Sequence, residues 1–138
     1  MKKLLLILLL PLSVYSQSKQ STIDSCVNIM HKLVNEHRVS NGESILTLSD
    51  SLTELAQSRA EYMYKTGEYN HIDHDGSYRE NIGAGANLTR YFTLYDGVYD
   101  TFKGLCHSPG HNKQMLRDWH IEAGYGFYKG YSVQIFKF

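Results

Sequence analysis

Apolar positions recur at helical spacing early in the chain. Cys26, Ile29, Met30, Leu33 and Val34 fall on one face, which predicts a helix over 26–38. Asn41-Gly42 then reads as a turn. Residues 45–48 form a short extended link. A second apolar face, Leu52, Leu55, Ala56, Ala60 and Met63, predicts a helix over about three turns. Ser49-Asp50-Ser51 caps it, with Ser51 and Glu54 spaced as a capping box, and Gly67 ends it. Residues 71–79 form a loop rich in His, Asp, Gly and Ser. Residues 80–85 read as a short buried strand, with glycines where backbones approach closely. The aromatic-rich stretch 88–105 is predicted helical in its second half, near 95–102. Ser108-Pro109 opens another short helix, which continues to Arg117, since serine caps well and proline suits the first helical position. Two strand-like runs, 121–128 and 131–138, flank Lys129-Gly130 as a tight hairpin. The last strand is expected to be covered on both faces at its end. Helices packed on an antiparallel sheet follow from this order.

Upstream of this domain, Lys2 and Lys3 precede an unbroken apolar run from Leu4 to Leu10. Val14 and Ser16 then stand at the −3 and −1 positions of a cleavage site. Residues 1–16 are therefore expected to be a signal peptide, 17–25 a short frayed lead-in, and 26–138 the folded domain. The apolar run is too short to span a bilayer, and no later segment is apolar enough. The expected location is secreted or periplasmic. The chain has 138 residues, enough for one core. Without Lys2 and Lys3, 12 of the 14 Lys and Arg remain against 14 Asp and Glu, a net of −2. No basic patch stands out, so nucleic acid is not an expected partner. Cys26 and Cys106 are the only cysteines. In an exported protein they can pair or stay as buried thiols. The 11 tyrosines read mainly as half-buried surface and core filler, or else as the lining of a groove. Asn87-Leu88-Thr89 is a glycosylation sequon, meaningful only in a eukaryotic secretory pathway.

Seven short motifs then appear in one order. Asn35 and Arg38 form N-x-x-R. Leu52 and Ala56 form L-x-x-x-A. Tyr69-Asn70-His71 with Asp75-Gly76 parallels F-S-H … D-G. Glu80-Asn81-Ile82 parallels G-E-N-I. Ser108-Pro109-Gly110-His111 through Leu116 parallels S-P-G-H-R-x-N-M-L. Ala123 to Gly126 parallels I-G-x-G, and Tyr131 to Phe136 parallels Y-x-x-Q-x-F. Together they resemble the bacterial branch of the CAP superfamily (SCP-like, pathogenesis-related-protein-1-like) over about 26–138. The resemblance implies an α+β fold, a three-layer α/β/α sandwich with a central antiparallel sheet. It departs at Arg79, where the family has Gly, at Leu105, where Trp is usual, and at Asn112, where Arg is usual. The eukaryotic W-x-x-E has no match, since Leu105 and Ser108 occupy its ends.

By resemblance, Glu80, His111 and a loop histidine face a shared cleft. His71 fits counting forward from the second helix, and His74 fits counting back from Glu80. Two imidazoles and a carboxylate suit a divalent ion such as Zn²⁺. Glu80 can instead orient a histidine or act as a base. Asp96 and Asp100 are the candidates for a fourth, acidic member. Structural alternatives stand beside each role: solvated loop histidines, a Glu80 that only bonds backbone, a His111 that only braces its helix. Ser108 is accounted for by capping. A Cys106 thiol–imidazole pair with a neighbouring histidine is conceivable. No H-E-x-x-H occurs, so a zincin-type protease has no support. The expectation is a binding module with a possible metal cleft and a groove for lipid, peptide or glycan. The alternatives are a metal-assisted hydrolase using His111, Glu80 and His71 or His74, and a structural domain with a vestigial cleft.

Overall fold

The computed structural model describes residues 12–72, 76–86, 88–90 and 93–138. His74, Asp75, the sequon's Asn87, Tyr91 and most of the expected leader lie outside the described residues. The elements are α1 (Leu12–Ser40), β1 (Thr47–Leu48), α2 (Asp50–Thr66), β2 (Tyr78–Ala86), a 3-10 turn (Leu88–Arg90), α3 (Leu94–His107), α4 (Pro109–Met115), β3 (Glu122–Tyr128) and β4 (Gly130–Lys137). The strands form one sheet in the order β1-β3-β4-β2.

α2 covers one face of the sheet, and α1 with α3 covers the other. The strands divide their side chains accordingly, as alternation demands. Ala123, Tyr125, Phe127 and Phe136 join Met30, Val34, Val98 and Phe102 on the α1–α3 side. Ile82, Val133 and Ile135 join Leu52, Ala56, Ala60 and Met63 on the α2 side. The expected sandwich is therefore present, and β4 is buried on both faces. The sheet is antiparallel except at one edge. There β1 runs parallel to β3, with Thr47 opposite Glu122, where an extended link alone was expected.

Beyond β1, the exposed edge of β3 is closed by a side chain. Gln57 donates to the Phe127 carbonyl at 3.1 Å and accepts its N–H at 3.0 Å. The N-x-x-R motif pins the loop between α1 and β1 in the same manner. Asn35 accepts from the Leu46 N–H at 2.8 Å and donates to its carbonyl at 3.1 Å. Arg38 is wholly buried and donates to the carbonyls of Ser44, Met115 and Arg117. A cation at the end of α4 satisfies carbonyls that the helix leaves open.

Several boundaries differ from the sequence reading. α1 runs back to Leu12, through the polar stretch 17–25 expected to fray. Local i,i+4 bonds sustain it, Gln20 to Asp24 at 2.8 Å and the Ser25 hydroxyl to the Ser21 carbonyl at 2.9 Å, with no apolar period to announce them. The α2 cap is Ser49 and not Ser51: its hydroxyl accepts from Leu52 N–H. Gly67 ends α2 in the left-handed region, φ 73°, as its freedom from a Cβ allows. Lys129 and Gly130 both have positive φ, 41° and 94°, the signature of a two-residue hairpin turn. Cys26 is buried and Cys106 half-buried, and both are free thiols. Among the described residues, no helix is long and apolar enough to cross a membrane.

Candidate functional site

Glu80 and Asn81 are neighbours on β2, an outer strand of the sheet, so their side chains point to opposite faces. Each holds one side of a cleft. The Glu80 side chain is 2 % exposed and faces α2. Arg59 of α2, itself 4 % exposed, donates from Nε to Glu80 Oε2 at 3.2 Å. Arg59 also donates to the Asn70 carbonyl, which ties the following loop to the same point. From that loop, His71 Nδ1 lies 3.3 Å from Glu80 Oε1. A carboxylate at this distance favours the proton on Nδ1 and leaves Nε2 as the lone-pair nitrogen.

On the other face, Asn81 donates to the His111 carbonyl at 3.0 Å and to Gln134 Oε1 at 2.9 Å. Gln134 is buried in β4 and donates in turn to Met30 Sδ. His111 thus hangs from the sheet by its own backbone. Its helix has only seven residues and needs such anchors. His37 of α1 supplies another, with Nε2 2.7 Å from Asn112 Oδ1.

His71, Glu80 and His111 therefore line one cavity of about 450 Å³, together with Asn81, Ser108 and Gln114. Burial, and then the nearby His71, lower the His111 pKa below the ordinary imidazole value. The ring is neutral around pH 7, the form that accepts a proton or a metal ion. A second cavity of about 350 Å³ shares Ser108 and His111 and reaches Asp100.

The expected residues fall into three groups. His71, Glu80 and His111 line one cavity, with His71 and Glu80 in contact. Asp100 lines the adjoining cavity, whereas Asp96 belongs to the α3 cap: Thr93 Oγ1 accepts the Asp96 N–H at 3.1 Å and lies 2.6 Å from its carboxylate. His74 lies outside the described residues. Glu80 has both oxygens engaged, by Arg59 and His71, so it fits the orienting role better than that of a ligand. Among the described residues, no group of three or more His, Cys, Asp and Glu is placed to hold a metal ion. The two imidazoles are the available donors. Ser108 stands at the N-cap of α4, but its hydroxyl makes no capping bond, and the residue lines both cavities. Capping therefore does not account for it. Burial raises the Cys106 pKa, so the group is a thiol and not a nucleophilic thiolate.

Arg59 was not foreseen. Its signal was present: it sits on the stripe Leu52, Ala56, Ala60 and Met63, where a charge is out of place and calls for a buried partner.

The CAP family model, described as the cysteine-rich secretory protein family, matches residues 31–136. No curated protein sequence matches the chain. The fold resembles an extracellular SCP-domain protein from Bacillus anthracis, with TM-score 0.68 and 19% identity over 83% of this chain and 41% of that one. It resembles an outer surface protein from Borrelia burgdorferi, with TM-score 0.64 and 17% identity over 80% of this chain and 90% of that one. It also resembles a cysteine-rich secretory protein from Staphylococcus aureus, with TM-score 0.58 and 16% identity over 83% of this chain and 39% of that one. The chain thus spans about two fifths of the Bacillus and Staphylococcus proteins. A match across most of the sequence, joined to the same sandwich in these structures, leads to one statement: the chain belongs to the CAP family, the cysteine-rich secretory proteins.

Proposed function

We propose that the chain is an exported binding module whose cleft takes up a divalent ion such as Zn²⁺ on His71 and His111. The adjoining groove accepts a lipid, peptide or glycan. The observation that carries this reading is the pairing of His71 Nδ1 with Glu80 Oε1 at 3.3 Å beside a His111 ring kept neutral. Carboxylate–imidazole pairs of this kind orient metal-binding histidines and raise their basicity. Bound there, the ion supplies a Lewis-acid contact for a polar group of the ligand. The chain's own residues do the rest: Arg59 fixes the carboxylate, Glu80 fixes His71, and Asn81 fixes His111. Export is supported by the leader-like first 16 residues and by the extracellular and surface descriptions of the structural relatives. The hydrolase alternative needs Glu80 as a ligand or a base. Both of that carboxylate's oxygens are already engaged, so this reading is the weaker one.

Calorimetric titration of metal-free protein with Zn²⁺ tests the proposal. One equivalent is expected to bind. His71→Ala and His111→Ala should each abolish tight binding, and Glu80→Gln should weaken it about 10- to 100-fold. His74→Ala should leave it unchanged. Wild-type protein that takes up no zinc, or histidine variants that bind it normally, would defeat the reading.

A further inference from the structure

β2 pairs with β4 alone, and among the described residues no strand lies along its other edge. In an antiparallel ladder the residues alternate. One turns its N–H and C=O to the partner strand, and the next turns both away. The hairpin sets the phase. Tyr128 and Tyr131 close its two-residue turn as a bonded pair, so Tyr131, Val133 and Ile135 of β4 serve β3. Ser132 and Gln134 then serve β2, where they stand opposite Gly83 and Asn81. Ile82 and Ala84 are left with their backbone groups turned outwards. The Tyr69 hydroxyl agrees with this phase, since it donates to the Ile82 carbonyl at 3.0 Å. Ala84 is exposed, and among the described residues no backbone bond outside the ladder involves it. Open edges are usually blunted by charged side chains or proline. Ile82-Gly83-Ala84-Gly85 has neither. Its cover is Tyr69, whose hydroxyl stands on the Ile82 carbonyl where a neighbouring strand would bring an N–H.

This edge is the floor of a groove. Residues 82–85 line the second cavity, residues 78–81 line the first, and the two cavities share Ser108 and His111. The loop carrying Tyr69 and His71 walls the groove on the α2 side, and α3 with α4 walls it on the other. A single extended chain can lie between such walls. A second copy of the domain cannot offer its own β2 edge, which is recessed between the same walls. On the α3 wall Gly104 leaves an opening, since a Cβ built there meets nothing within 4 Å, and Leu105 beside it is apolar. Side chains of an added strand alternate between the two walls, so every second one turns towards α3. We infer that the groove binds an extended peptide as a fifth strand on β2, its main chain paired with Ala84 and Ile82 and an apolar side chain entering at Gly104. The inference rests on the binding-module reading and narrows its groove ligand to a peptide. It requires no ion on His71 and His111.

The test uses fluorescence polarisation on the metal-free full domain. The probes are dye-labelled, amidated hexapeptides in which Thr alternates with Val, Leu, Phe or Tyr. At least one is expected to bind the wild type. Methylating the backbone nitrogens of that peptide at alternate residues should abolish binding in one phase and spare it in the other, because only one edge of an added strand meets β2. This readout needs no change to the protein. Ala84→Pro removes an outward N–H and takes no bond from the β4 ladder. It should weaken binding about tenfold, with melting temperature and zinc uptake as in the wild type. Gly104→Leu closes the opening and should weaken the apolar probes by a similar factor while circular dichroism stays unchanged. Absence of binding by every probe, the same response to both methylation phases, or equal binding by wild type and both variants overturns the proposal. So does a dimer of the domain that Ala84→Pro dissolves, since the edge would then serve a second copy. Zinc uptake without peptide binding sinks this inference alone. Peptide binding without zinc uptake sinks only the metal cleft.

Discussion

Next to α4, the ring of His120 is 2 % exposed and lies flat on Phe136, with centroids 5.1 Å apart and planes 13° from parallel. Neither ring nitrogen makes a hydrogen bond of good geometry. Burial, followed by the nearby Arg38, Arg117 and Arg79, lowers its pKa to about 4, and the Gln114 backbone offsets this only in part. The unfolded chain binds this proton near 6.5, so between pH 6.5 and 4 it holds more protons than the folded one. Stability is then fully present above 6.5 and falls as the pH drops towards 4. At about 1.4 kcal/mol per pH unit, the loss is roughly 3 kcal/mol. His120→Phe keeps the stack and removes the titration. Urea unfolding at pH 7, 5 and 4 should show a smaller acid loss in the variant by about that amount. Trp119, the only tryptophan, packs edge-on against His120 at 6.3 Å and reports the transition. Equal acid loss in both proteins would refute this assignment. The effect is separate from His111, which the comparison holds constant.

Among the elements, α2 and β3 approach more closely than any side chain would permit. A Cβ at Gly124 would fall 2.2 Å from the Leu52 carbonyl carbon, and one at Gly126 would fall 2.3 Å from that of Ala56. These obstacles are backbone and cannot rotate away. Gly126→Ala should therefore cost about 3 kcal/mol or more, beyond ordinary overpacking, read as a lowered denaturation midpoint. A midpoint within 0.5 kcal/mol of wild type would show that the layers can separate freely. The I-G-x-G pattern made these glycines visible in the sequence, apolar periodicity did the same for α2 and the core part of α1, and Lys129-Gly130 between two strand-like runs did so for the hairpin. What stayed hidden was set by contacts far apart in the chain or by purely local polar bonds. The parallel pairing of β1 depends on Thr47 meeting Glu122, which no two-residue strand can announce. The first turns of α1 carry no apolar stripe. The cleft divided in the same way: motifs pointed to Glu80 and His111, but counting from either side left His71 and His74 level. Arg59 was legible as a charge on an apolar stripe, but its partner Glu80 emerged only once the layers were stacked.

For the whole molecule, the issue is how much of α1 the sandwich needs. Among the residues of that helix whose burial is described, the buried ones begin at Cys26 and continue through Val27, Met30, Leu33, Val34 and Arg38. Ile23 packs partly against the same core. Between 17 and 22, the residues whose burial is described are all exposed. Helical turns that bury nothing add little to tertiary stability, since packing of an apolar face supplies most of it. A chain beginning at Gln17, as processing after Ser16 would leave it, keeps every residue described as buried and should melt within about 2 °C of the full-length chain. This corresponds to well under 1 kcal/mol for a domain of this size. A chain beginning at Asn28 loses Cys26 and Val27 from the core and should melt many degrees lower, since removing two buried side chains costs several kcal/mol. Thermal unfolding of the three proteins by circular dichroism separates the cases. If the Gln17 chain fell as far as the Asn28 chain, the first 16 residues would belong to the domain, and the proposal that they are a removable leader would fail with it.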